Sequence, residues 1–152
     1  MVESIRGHKL IGTAGELFTA FELTMIGVQC DLVKQDGTDV VAIKGNKVLL
    51  AQRIEVKTST YVDEKKCYSF SVSKGGKKRR YTKEDCDIIA LVALPERKIQ
   101  FISVGLIRGI TKKVHINTFR NDTDLISRSW DNALKKSLEE SRLVLEDWYK
   151  NK

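Results

Sequence analysis

Asp39, Glu55 and Lys57 stand where a strand reading expects apolar side chains. The stretch that carries them, GTDVVAIKGNKVLLAQRIEVKTS from Gly37 to Ser59, is otherwise two runs rich in Val, Ile and Leu around a Gly45-Asn46 turn. Charges at half-buried strand positions cost free energy unless they are paired or bound to a metal. Glu55 and Lys57 are two apart, so on a strand both point to one face, while Ile54 and Val56 point to the other. Two carboxylates a few ångströms apart repel unless a divalent cation lies between them. Mg²⁺ prefers oxygen ligands, keeps several waters, and is usually held by one or two carboxylates plus a phosphate. A lysine beside such an ion can stabilise an attacking hydroxide or the charge that builds on phosphorus. These are the parts needed to hydrolyse a phosphodiester. The alternative is a half-buried ion pair between Lys57 and either acid, which explains the lysine but leaves one acid unpaired.

The elements that must position these residues follow from periodicity. Ile11, Ala14, Phe18, Phe21 and Met25 recur at three and four, which predicts an amphipathic helix from about Ser4 to a Gly27 cap. Strands are predicted over Gln29–Lys34, Asp39–Lys44 and Val48–Lys57, with Asp36-Gly37 a turn. Tyr68, Phe70 and Val72 alternate with serines and predict a half-exposed strand. KGGKKRR, Lys74 to Arg80, reads as a loop. Ile88 to Leu94 reads as a central strand, paired through a turn at Pro95–Lys98 with Ile99–Val104, and Val114–Ile116 as a further short strand. Asp131 to Tyr149 is a final helix with Leu134, Leu138, Leu145 and Trp148 on one side. Helix, run of strands, helix is an α+β or α/β order with a mixed sheet.

The hairpin imposes a condition on the chemistry. A strict two-residue turn at Gly45-Asn46 pairs Asp39 with Gln52, which turns Glu55 away from Asp39. A joint site therefore requires an odd-length loop or a β-bulge.

With 152 residues, 41% of them hydrophobic, the chain is expected to form a single globular domain over residues 1–152. The net charge of +7 favours a polyanionic partner, nucleic acid before an anionic membrane. KGGKKRR suits phosphate contacts through Lys74, Lys77, Lys78, Arg79 and Arg80. Thr58 and Ser59 are further candidates to hydrogen-bond a phosphate, or else they end the strand. No apolar run is long enough to span a bilayer, and the N-terminus lacks an apolar signal segment, so a cytoplasmic, nucleoid-associated protein is expected. Cys30, Cys67 and Cys86 read as reduced thiols, and His8 and His115 add no zinc-type spacing.

Gly37-x-Asp39-Val40-Val41-Ala42 followed by Glu55-Val56-Lys57 resembles the core of the PD-(D/E)XK nucleases. That family includes many restriction enzymes, archaeal Holliday junction resolvases and some intron-encoded homing endonucleases. Thr38 stands where the family usually has proline, a departure that removes no ligand. Gly15-Glu16-Leu17-Phe18 resembles the N-terminal helix that adds a glutamate in resolvases, although Glu16 lies opposite the apolar stripe of its own helix. The resemblance implies a restriction-endonuclease-like mixed central sheet flanked by helices. It implies that Asp39 and Glu55 bind Mg²⁺, with Mn²⁺ a possible substitute and the Val56 carbonyl a further ligand. Lys57 would orient or deprotonate the water, and Glu16 would bind metal through water or assist the base. The implied partner is double-stranded DNA. One site cuts one strand, so a homodimer or homotetramer is expected, with the helix at about 131–149 as the interface. Compact size and the strand at Ile88–Leu94 favour the small homing-endonuclease branch, and the expected function is a sequence-specific homing-type or restriction-like endonuclease. The alternatives are a Holliday junction resolvase and a basic nucleic-acid-binding protein without catalysis.

Overall fold

The computed structural model describes residues 2–43, 51–75 and 78–151. Helix α1 spans Val2–Met25. It ends as its cap chemistry requires: Gly27 takes φ 83° and the Val28 N–H donates to the Leu23 carbonyl at 2.9 Å. Strands β1 (Gln29–Gln35) and β2 (Thr38–Ile43) form an antiparallel pair around Gly37, whose φ of 78° suits the turn. Strand β3 (Ala51–Ser59) pairs antiparallel with β2. The Gly45-Asn46 turn and the first residues of the strand expected from Val48 lie outside the described residues.

After β3 the chain leaves the main sheet. Strand β4 (Cys67–Ser71) will pair with a later strand, and β5 (Ser73–Lys74) pairs with β6 (Arg79–Arg80). The run expected to be a loop is therefore a short two-stranded ribbon. Strand β7 (Ile88–Ala93) then returns parallel to β3, and β8 (Lys98–Ser103) pairs antiparallel with β7. The connection at Leu94–Glu96 is a 3₁₀ turn closed by Arg97 at φ 50°. Strand β9 (Thr111–His115) pairs with β4, and two helices follow, α2 (Ile116–Arg120) and α3 (Leu125–Lys150). Ile116, expected in a strand, opens α2, because the His115 Nδ1 accepts the Asn117 N–H and caps it. Helix α3 starts ahead of Asp131, and Trp130 packs edge-on against Phe101.

The five-stranded mixed sheet has the order β1-β2-β3-β7-β8, with helices flanking it. One face packs Val40, Ile54, Ile88 and Val92 against Leu23 of α1 and Trp130 and Leu134 of α3. The other packs Ile89 and Leu91 against Tyr68, Phe70 and Phe119. β7 is buried on both faces, as its unbroken apolar run requires. Leu134 and Leu138, on the expected interface side of α3, are committed to the first core; of Leu145 and Trp148 only the backbone is described. No helix among the described residues is long and apolar enough to cross a membrane.

The packed face of α1 matches the apolar stripe read from the sequence only in part: Phe18 packs on the core, but the C-terminal end of the stripe does not. Phe21 and Met25 are 56% and 67% exposed, while Thr19 and Leu23 are fully buried. The cause is close approach. A Cβ on Gly15 would sit 1.8 Å from the Thr58 Oγ1, so only glycine lets α1 lie this near β3. Gly15 and Thr19 set the close contact, Phe18 and Leu23 pack on the core beside them, and Leu17, Phe21 and Met25 turn outward.

Candidate active site

The register of β2 on β3 decides whether the charged residues meet. Val40 opposes Ile54 and Ile43 opposes Ala51, which leaves residues 44–50, an odd number, between the strands. One step beyond Val40, Asp39 therefore falls on the face of Glu55 and Lys57, as the joint site requires. The pairing ends at Val40 and Ile54, so β3 from Val56 onward has a free edge on that side among the described residues.

Asp39 fills the start of this edge: its Oδ2 accepts the Val56 N–H at 2.7 Å. In an extended strand a residue's N–H and C=O point to the same side. The Val56 carbonyl therefore also points toward the Asp39 side. Glu55 is 8% exposed, and its Oε1 accepts from the Lys57 ammonium at 2.8 Å and from the Tyr81 hydroxyl at 2.8 Å. The Lys57 ammonium also lies 5.0 Å from the Tyr81 ring centroid. Tyr81 is a member of the site that sequence reasoning misses. Its one signal there is its place directly after the basic run.

The electrostatics show how close these groups are. Burial, and then the charge of Glu55, push the Asp39 carboxyl up to about 6, against the bond from Val56; Glu16 adds to the rise and Lys57 opposes it. Burial and the charge of Glu55 also raise Glu16, against Lys34. Glu16 thus stands within electrostatic range of both acids, carried there by the close seat of Gly15 on Thr58. Burial pulls the Lys57 ammonium down, but Glu55 and Tyr81 hold it above its ordinary value. Lys57 is thus paired with Glu55, which is one half of the ion-pair reading. Asp39 has no cationic partner in direct contact among the described residues.

A metal fits this donor set on specific grounds. Oδ1 of Asp39 and Oε2 of Glu55 have no protein hydrogen bond among the described residues. A third oxygen, the Val56 carbonyl, points to the same edge. An all-oxygen set with two carboxylates suits Mg²⁺. No group of three His, Cys, Asp or Glu side chains among the described residues is arranged to enclose an ion, so waters and a phosphate would complete the shell.

The basic residues divide into two kinds. Arg79 gives Asp85 two bonds of 2.8 Å, and Lys74 adds one at 2.9 Å while lying 3.3 Å from Asp36. These contacts, Arg79 first, hold the Asp85 carboxyl well below the usual carboxylate range. Lys78 and Arg80 are exposed, and Lys77 lies outside the described residues. The Thr58 hydroxyl is buried beneath Gly15 without a partner among the described residues, and the Ser59 hydroxyl donates to the Tyr61 carbonyl at 3.5 Å. Cys30, Cys67 and Cys86 are all free thiols.

No family model and no curated protein matches this sequence. Among solved structures the chain is similar to a bacterial homing endonuclease, I-Ssp6803I, with a TM-score of 0.64 at 16% identity, over 88% of this chain and 97% of that one. The mixed five-stranded sheet with its flanking helices is thus an architecture that this chain shares with an endonuclease.

Proposed function

We propose that this chain is a metal-dependent DNA endonuclease with a PD-(D/E)XK-type site, of the homing or restriction-like kind. The observation that carries the reading is the meeting of Asp39, Glu55 and Lys57 on one face at a free strand edge, with Glu16 in range. A carboxyl whose ionisation is opposed by burial and by a neighbouring acid, as that of Asp39 is, is poor as structure alone and apt as a ligand. The shared architecture with a homing endonuclease supports DNA as the substrate.

Asp39, Glu55 and the Val56 carbonyl would hold Mg²⁺ or Mn²⁺. The ion would supply Lewis acidity toward the phosphate and a more acidic water. Lys57, fixed by Glu55 and Tyr81, places a positive charge where charge grows on the phosphoryl oxygens and can orient the attacking water. Glu16 can accept a proton from that water, its raised affinity for protons suiting the task. Lys78 and Arg80 are exposed cations that can grip the backbone. One site cuts one strand, so a double-strand break needs two copies of the chain, in a homodimer or homotetramer.

The test is nicking of supercoiled plasmid with Mg²⁺ and with EDTA. The expected result is open-circular or linear product with the metal alone. Binding without any cleavage under either condition would leave a basic DNA-binding protein instead. Preferential cutting of four-way junctions over linear duplex would make it a resolvase.

A further inference from the structure

We propose that Tyr81 is a positioning residue, which holds Glu55 and Lys57 in their working arrangement and ties it to the basic ribbon; this rests on the endonuclease reading above. Tyr81 is 4% exposed, and its hydroxyl and ring both face the site. The hydroxyl donates to Glu55 Oε1, the same oxygen that takes Lys57, at 2.8 Å. With that oxygen held twice, Oε2 is the one left for a ligand role. The ring lies under the Lys57 ammonium and limits where it can swing. One side chain thus fixes two others through two different parts of itself.

Tyr81 is joined in sequence to the basic ribbon. Arg80 precedes it directly and ends β6. Thr82 follows it, and the Thr82 N–H donates to Asp85 Oδ2 at 2.9 Å. Asp85 is also the carboxylate that clamps Arg79 and Lys74, one from each strand of the ribbon. On its other side the Asp85 backbone abuts Gly37, where a Cβ would come within 3.2 Å of the Asp85 carbonyl oxygen. Gly37 lies two residues before Asp39. Ribbon, Tyr81 and the start of β2 therefore meet at one residue, Asp85: the first two through its carboxylate, the last against its backbone. Phosphates that engage Arg80 and Lys78 pull on the segment that holds Glu55 and Lys57.

The experiment compares wild type with Tyr81→Phe, which keeps the ring and loses the hydroxyl. Plasmid nicking is measured with Mg²⁺ over a range of DNA concentrations. Lys57 side-chain mobility is measured by ¹³Cε relaxation in the metal-free protein, and a thermal melt checks folding. The expected result is kcat lower by about tenfold with KM within about twofold, and a more mobile Lys57, because the hydroxyl bond that fixes Glu55 Oε1, the oxygen to which Lys57 is bonded, is removed. A purely structural tyrosine would lower the melting temperature and leave kcat of the folded protein alone. A kcat within twofold of wild type, a loss carried by KM, or an equally rigid Lys57 overturns the proposal. If wild type does not nick at all, the endonuclease reading falls by itself. The relaxation data then still judge the Tyr81 contact, and an unchanged Lys57 overturns it.

Discussion

Asp39 carries a carboxyl that burial and the charge of Glu55 push up toward neutrality. Its folded pKa of about 6 lies above the ordinary 3.8. The folded protein therefore holds that proton more tightly than the unfolded chain does. Stability from this group is full below about pH 4 and falls as pH rises toward 6. Allowing for its partial exposure, the loss is about 1–2 kcal/mol. We expect the metal-free protein to melt lower at pH 7 than at pH 4.5 relative to Asp39→Asn, which keeps an acceptor for Val56 but has no charge. Mg²⁺ should raise the wild-type melting temperature at pH 7 and leave that of Asp39→Asn unchanged. Lys57→Ala should retain metal binding, measured by calorimetry, and lose cleavage by at least ~100-fold. If both variants lose the same stability and neither responds to metal, the trio is a structural ion pair. Much of this site is legible in the sequence: Glu55 and Lys57 share a face by strand parity alone. Tyr81 is not, because its link to Glu55 spans 26 positions and its place after the basic run does not point to that partner.

At the scale of elements, the ribbon and α1 carry separate tests. Arg79 and Lys74 are occupied by Asp85, while Lys78 and Arg80 face solvent. Neutralising Lys78 and Arg80 should flatten the plot of log K against log salt by about 0.9 for each phosphate they would otherwise neutralise, read by fluorescence anisotropy. Neutralising Lys74 and Arg79 should instead lower the melting temperature and shift the slope less. Equal slope changes in the two pairs would show that the ribbon opens to bind. On α1, Gly15→Ala drives a methyl into Thr58 and should cost about 1–3 kcal/mol in a denaturant melt. Thr58→Ala in the same chain should restore part of it, because the Oγ1 clash goes and a Cβ approach of 3.0 Å remains. The same close approach explains why Phe21 and Met25 of the expected stripe turn outward while Phe18 still packs on the core. Hydrophobic periodicity weighs large side chains, whereas this contact is selected by small ones. The ribbon looks like a loop in the sequence because strands of two residues carry no periodicity.

For the molecule as a whole, alternation and apolar runs point to all the long strands, and these define the mixed sheet. What they leave open is register, which depends on residues 44–50 and on the packing of Val40 and Ile54 together. The sheet order has a further, kinetic consequence. β1, β2 and β3 follow one another as neighbours, and β7 and β8 form a local hairpin. The parallel pairing of β3 with β7 joins the two, and it must close the whole stretch from Thr60 to Asp87. Such long-range closure is slow compared with hairpin formation. Substitutions at Ile54 and Ile88, which face each other across it, are expected to slow refolding in a chevron experiment; substitutions in β1 should mainly speed unfolding. Asp39, Glu55 and Lys57 all lie on the early, local side of this junction, and Tyr81 lies within the stretch that the junction closes. These three side chains can therefore come together in a chain still folding, while the tyrosine that contacts Glu55 arrives when β7 docks on β3.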